Sequence, residues 1–223
     1  KAKGYAEKVS REIWRQMESF AGYSFNKAHS ASFAVESYQS LYLKTYFPLE
    51  FMVSVLNNYG GFYNRKVYVN EARRAGATIC LPCVNRSLWA TTIYGTSLYL
   101  GFDSLLHFEV KQADRLVEER RQHGEYRGLA DFQQRTAIGL EQLLLLIRVG
   151  AFRTFNVSKK ALLWEAHLLL SKHRPAQETG RLFECSTRKP VLPALEDDPL
   201  EDYYDEIELI GFVVSGTLFD LAR

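Results

Sequence analysis

Val9, Ile13, Met17 and Phe20 recur at helical spacing, so residues 5–20 read as an amphipathic helix. Ala21-Gly22-Tyr23 breaks the pattern, and Ser24-Phe25-Asn26-Lys27 leads into a second helix near 28–46. Its broad apolar face carries Ala31, Ala34, Val35, Tyr38, Leu41 and Tyr42. Pro48 sits where a first-turn proline belongs and predicts a short helix to about Leu56. Asn57-Asn58-Tyr59-Gly60-Gly61 is a loop, and the helix that follows ends at Gly76 as its left-handed cap. The texture then changes. Thr91–Tyr94, Gly95-Thr96-Ser97 and Leu98–Leu100 read as a β-hairpin. From residue 104 onward short helices return: Lys111–Gln122 before Gly124, Leu129–Arg135, Leu140–Arg148 before Gly150, and Ser158–Ser171. Pro175, Gly180, Pro190, Pro193 and Pro199, with an acidic cluster from Glu196 to Asp205, predict an extended linker without a core of its own. A last helix is expected at about Tyr203–Val213.

Net charge of +2 hides a strong asymmetry. Residues 1–90 carry a net +6, residues 91–174 a net +3, and residues 175–223 a net −7. A basic body with an acidic tail predicts a surface that attracts a polyanion, plus a segment that does not lie on it. The longest apolar runs, such as Leu143–Ile147, are far shorter than a membrane span, so no membrane partner is expected. The chain opens on Lys rather than Met and carries no basic-then-apolar leader, which fits a fragment of a cytoplasmic protein. Three cysteines make no disulfide framework. Cys80 and Cys83 have CxxC spacing, but no second Cys/His pair follows, so two ordinary thiols are expected rather than a metal site. Trp14, Trp89 and Trp164 are expected in the core.

The stretch Phe20–Ser30 is the most specific chemistry in the chain. A loop delivers Asn26, Lys27 and His29 to a helix start, where free backbone N–H groups already favour an anion. Lys27 can pair with a phosphate and His29 can donate to a phosphate oxygen; alternatively Ser24 or Asn26 only caps the helix.

From Phe20 to Leu56 the sequence resembles the fingers region of the bacterial DNA polymerase III α subunits. The matching positions are Phe20 to Tyr23, Asn26 to His29, Ser37-Tyr38-Gln39 and Lys44 to Met52. The likeness continues through Leu81–Asn85 and the later helices to Leu209–Phe212 and Ser215-Gly216. It implies a mainly α fold: a helical fingers portion over 1–88, then a tandem helix–hairpin–helix domain with a small β-hairpin over 89–174. An acidic linker with a terminal helix fills 175–223. It also implies part of a DNA-directed DNA polymerase, whose two Mg²⁺ ions are held by palm aspartates upstream of the fingers. The chain itself would then be inactive and bind no cofactor. Expected partners are primed template DNA, a deoxynucleoside triphosphate, the sliding clamp and other replisome subunits.

By that resemblance Lys27, then His29 and Asn26, align the triphosphate, with Arg11 and Lys44 as further DNA contacts. The hairpin domain binds duplex backbone through glycine-rich turns that admit phosphates. Here the first hairpin, Leu106–Lys111, has no glycine, and the second, Thr136–Glu141, keeps one. Contact must therefore come from the side chains of Lys111, Arg115, Arg120 and Arg121, or the module is mainly structural. Leu182-Phe183 in the linker fits the family's clamp-binding peptide, although Thr179 stands where that peptide usually has Gln. A non-catalytic module that holds the clamp and replisome partners is the alternative reading.

Overall fold

The computed structural model describes residues 6–24, 27–171 and 198–216, which divide into two compact units, Lys1–Pro48 and Leu49–Arg223. Asn26, Leu182 and Phe183 lie outside the described residues.

The first unit holds two helices, α1 (Glu7–Ser24) and α2 (Lys27–Tyr46). Helical spacing does put Val9, Ile13, Met17 and Phe20 on one side of α1, yet all four are exposed. Trp14 is exposed as well, which corrects the expectation of a core tryptophan. No described side chain of α2 is buried either. Two helices alone bury too little apolar surface to make a core.

The second unit takes up α3 (Pro48–Asn57) from its second residue, and α4 (Arg65–Arg74) follows. Pro48 opens α3 as its sequence position predicts, since its missing N–H is one of the unpartnered ones at a helix start. Asn64 caps α4 by accepting from the Lys66 N–H at 3.0 Å. Gly76 follows α4 at φ 99°, the left-handed conformation expected of it. Three short strands come next: β1 (Thr78–Cys80), β2 (Thr92–Tyr94) and β3 (Ser97–Tyr99). β2 and β3 form the predicted antiparallel hairpin around Gly95. β1 joins β3 in parallel with Ile79 opposite Leu98, so the order is β1-β3-β2 and Leu98 is buried at the centre.

Polar contacts tie α3 and α4 to this sheet. The Asn57 amide donates to the Thr91 carbonyl at 2.9 Å and accepts from the Thr91 N–H at 2.8 Å. Arg65 pairs with the buried carboxylate of Asp103 at 3.1 Å. Gly101 is obligatory, because a Cβ there would lie 2.2 Å from the Trp89 carbonyl oxygen.

After a 3-10 turn at Phe102–Ser104 come α5 (Val110–His123), α6 (Leu129–Thr136), α7 (Leu140–Arg148) and α8 (Lys159–Ser171). Their apolar faces meet in one core that includes Leu105, Ala113, Leu116, Leu143 and Ile147. Met52, Leu56 and Val69 of α3 and α4 belong to the same core. Tyr126, Phe132 and Phe152 stack edge to face through its centre, at 4.8 and 5.0 Å between centroids. Trp89 packs against the core, whereas Trp164 is exposed, contrary to expectation.

The last helix, α9, runs over Pro199–Ile210 and ends at Gly211, which adopts φ 92°. It starts four residues earlier than expected because Asp198 caps it, accepting from the Leu200 N–H at 2.9 Å, with Pro199 in the first turn. Leu209, Ile210, Phe212, Val213 and Val214 are buried.

Candidate nucleic-acid interface

The unit from 102 to 148 repeats one device twice: a helical turn, a tight hairpin and a following helix. In the first hairpin His107 adopts φ 65°, and in the second Ala137 adopts φ 46°. Both are left-handed positions that glycine occupies without a Cβ penalty. With no glycine at either position, the sequence has kept the hairpin backbone and accepted strain at these two points. Replacing His107 and Ala137 together by Gly should therefore raise stability by about 1 kcal/mol, read as a higher urea midpoint with an unchanged slope.

Two backbone amides of the first hairpin are engaged inside the protein. Leu106 N–H donates to the Leu209 carbonyl at 2.8 Å, and Glu109 N–H donates to Gln142 Oε1 at 3.0 Å. Gln142 in turn donates through Nε2 to the His107 carbonyl at 3.0 Å, so α7 clasps the hairpin. Neither of these two N–H groups is open to a phosphate.

The α5 cations separate into two kinds. Lys111 and Arg115 lie one turn apart, exposed, and neither forms an ion pair among the described residues. Arg121 is exposed too, with Glu118 at 3.8 Å. Arg120 points inward instead, donating to the carbonyls of Val84 at 2.7 Å and Ser87 at 3.0 Å. Burial lowers its pKa, but a guanidinium remains charged, and its role here is to pin the turn at 83–87. Arg11 is exposed on α1 and paired with Glu7 at 3.1 Å. Lys27 and His29 occupy the first turn of α2, which holds no acidic residue, and the His29 ring packs edge-on against Phe33 at 4.4 Å. Lys44 is exposed in the last turn of α2.

The acidic tail corrects the expectation drawn from charge alone. It was expected not to lie on the basic surface, and α9 does lie there. Arg148 reaches Asp205 at 2.7 Å and Glu208 at 2.5 Å. Arg153 reaches Asp202 at 3.3 Å, and Lys160 reaches Glu201 at 3.3 Å. Lys159 lies 2.7 Å from Asp205 and also pairs with Asp202. Four cations of α7, α8 and the turn between them are thus neutralised internally. The hydrogen bond from Arg148 holds the Glu208 carboxyl below its ordinary pKa.

Cys83 is buried and Cys80 half-buried, and burial pushes the Cys80 thiol up. Among the described residues no group of three or more His, Cys, Asp or Glu is placed to hold a metal ion. No described helix is long and apolar enough to cross a membrane.

Two hairpins set between packed helices, with cations on the solvent side of α5, define a helix–hairpin–helix module. Residues 76–162 match the family model described as a helix-hairpin-helix motif. Over nearly its whole length the chain is homologous to one segment of proteins named DNA polymerase III subunit alpha. It is 30% identical over 222 residues to the protein of Staphylococcus epidermidis (strain ATCC 12228), an alignment covering 96% of this chain and 21% of that one. It is 29% identical over 225 residues to that of Thermus aquaticus, covering 97% of this chain and 18% of the relative. The Staphylococcus aureus (strain MRSA252) protein is 30% identical over 221 residues, with 96% and 21% covered. The chain therefore spans about a fifth of the length of the curated relatives it matches.

Proposed function

We propose that the chain serves a replicative DNA-directed DNA polymerase as its fingers and helix–hairpin–helix part. It would grip primed template DNA and help align the incoming deoxynucleoside triphosphate in the cytoplasm. The similarity to DNA polymerase III alpha subunits over 96% of the chain carries this reading. The exposed pair Lys111 and Arg115 on α5 supports it as a contact to duplex backbone. Lys27 and His29, in a helix turn without acids, suit the triphosphate, with Asn26 as the preceding residue in sequence and Lys44 and Arg11 as further cations. Nucleotidyl transfer would use two Mg²⁺ ions held by aspartates of the parent protein's palm, and this chain would contribute no cofactor of its own. The domain division at 88 and 174 belongs to the same reading, as does Leu182-Phe183 as the peptide for the sliding clamp.

Duplex binding measured as a function of salt tests the α5 contact. Replacing Lys111 and Arg115 by Ala should weaken affinity about tenfold at ~0.1 M salt and flatten the salt slope by about two. Unchanged affinity and slope would remove α5 from the interface.

The engaged amides of Leu106 and Glu109 favour a second reading, in which the hairpins are structural and the chain mainly holds the clamp and replisome partners. That reading expects weak duplex binding in the unaltered chain and little effect of the α5 substitutions.

A further inference from the structure

The loop between α3 and α4 carries a feature that duplex contact by α5 does not use. Tyr59 is 74% exposed, Phe62 102% and Tyr63 69%, three aromatic rings turned to solvent within five residues. Soluble surfaces scatter such side chains singly, and a cluster marks an interaction site.

The loop that presents them is built, not slack. Gly60 N–H donates to the Val55 carbonyl at 3.1 Å, and the Asn58 amide to the Ser54 carbonyl at 2.8 Å. The Tyr68 hydroxyl accepts from the Tyr63 N–H at 3.2 Å. It also sits so close to Gly61 that a Cβ there would fall 1.6 Å from its oxygen. Gly61 takes φ 105°, and Tyr59, a bulky residue, is held at φ 50°. A non-glycine residue in that conformation is strained and persists only where the surroundings impose it. Tyr59 is thus held in place on the backbone while its side chain stays exposed.

Tyr59, Tyr63 and Tyr68 line a cavity of about 180 Å³, together with Val55, Leu56 and Arg65. Its size and its aromatic walls suit one flat heterocycle. The charge around it selects the class of ligand. Residues 51–70 contain Arg65 and Lys66 and no acid. Arg65 is committed to Asp103, so Lys66 in the first turn of α4 is the cation at hand. A helix start with a lysine suits the phosphate that follows a base in a chain.

We infer that the Tyr59–Tyr63 loop is a binding site for single-stranded nucleic acid: the cavity lined by Tyr59 and Tyr63 takes one unpaired base, Phe62 stacks on a neighbour, and Lys66 meets the phosphate. Stacking of bases on exposed rings along a cationic path is the general physics of sequence-tolerant single-strand binding. This site is independent of the duplex contact on α5, and its test separates the two.

The test is fluorescence anisotropy of a labelled oligothymidylate, with the matching duplex alongside, on the whole chain. Replacing Tyr59 and Tyr63 by Ala should weaken oligothymidylate binding about five- to a hundredfold per stacked ring lost, and leave duplex binding unchanged. Tyr59→Phe with Tyr63→Phe keeps the rings and should bind as the unaltered chain does. Phe62→Ala removes a ring that lies wholly in solvent, cannot disturb the fold, and should lose affinity in the same direction. Oligothymidylate affinity unchanged in the Ala variants would overturn the site and leave the loop as a cover for an apolar protein surface. An equal loss on the duplex, or no measurable oligothymidylate binding by the unaltered chain, would overturn it too.

Discussion

Replacing Glu206 by Ala is expected to lower the stability of the Leu49–Arg223 unit by about 3 to 5 kcal/mol, a large part of what a domain this size has. Glu206 is 1% exposed, the most deeply buried acid of α9. Its carboxylate accepts from Val214 N–H at 2.6 Å, from Ser215 N–H at 3.0 Å and from the Ser215 hydroxyl, and Arg153 lies 3.7 Å away. These bonds fold the turn after Gly211 back onto α9 and set Phe212, Val213 and Val214 into the core. Ala leaves the buried Val214 N–H without an acceptor and takes the acceptor from the part-buried Ser215 N–H as well. The desolvation of the first outweighs the value of any one hydrogen bond. Glu206→Gln keeps one acceptor and turns an NH₂ group toward the other donors, so it should cost about 2 kcal/mol. Denaturant midpoints measure both. Hydrogen exchange adds a local readout: the Leu106 amide, bonded to the Leu209 carbonyl, should lose protection in Glu206→Ala along with α9. A midpoint within about 0.5 kcal/mol of the unaltered chain would mean that α9 is held by its apolar residues alone.

Much of this architecture was legible because its signals are local. Pro48, Gly76, Gly95, Gly124 and Gly150 stand where the elements begin or turn, and each acts through its own backbone. The leucine stripe of α7 reads as core from its spacing, and Leu143, Leu146 and Ile147 are buried. What stayed hidden depends on partners distant in sequence. The parallel pairing of Thr78–Cys80 with Ser97–Tyr99 involves three residues per strand, too few to leave a periodicity. Arg120 and Arg115 look alike in sequence, yet one serves two carbonyls of the 83–87 turn and the other faces solvent. His107 gives no hint of a left-handed backbone, because the residue that usually betrays one is glycine. Trp14 misled for a different reason: apolar spacing tells which face a helix offers, not whether anything in the unit covers it. The basic residues Arg148, Arg153, Lys159 and Lys160 had a readable clue in the acid run after Glu196, whose sign complements theirs.

That complementarity sets the second large effect. Neutralising Asp202, Asp205 and Glu208 together, to Asn, Asn and Gln, should raise duplex DNA affinity about tenfold or more at ~0.1 M salt and steepen its salt dependence by up to about three units. Arg148, Arg153 and Lys159 each face at least one of these three carboxylates. Once the acids lose their charge, the cations are left for phosphate whether α9 stays in place or swings away. Screening by salt weakens the exposed Arg153–Asp202 pair more than the Lys159–Asp205 pair, which is mostly buried. Acid should act in the same direction. Glu208 has its pKa depressed in the folded chain, so its contribution is present above the ordinary carboxylate range and is lost as pH falls through its lowered value. Titrating duplex affinity against salt for the triple variant and the unaltered chain decides the matter. Equal slopes would place the duplex away from α7 and α8, on α5 or on the first unit. A steeper slope would mean that α9 occupies, with its carboxylates, the positions that DNA phosphates otherwise take.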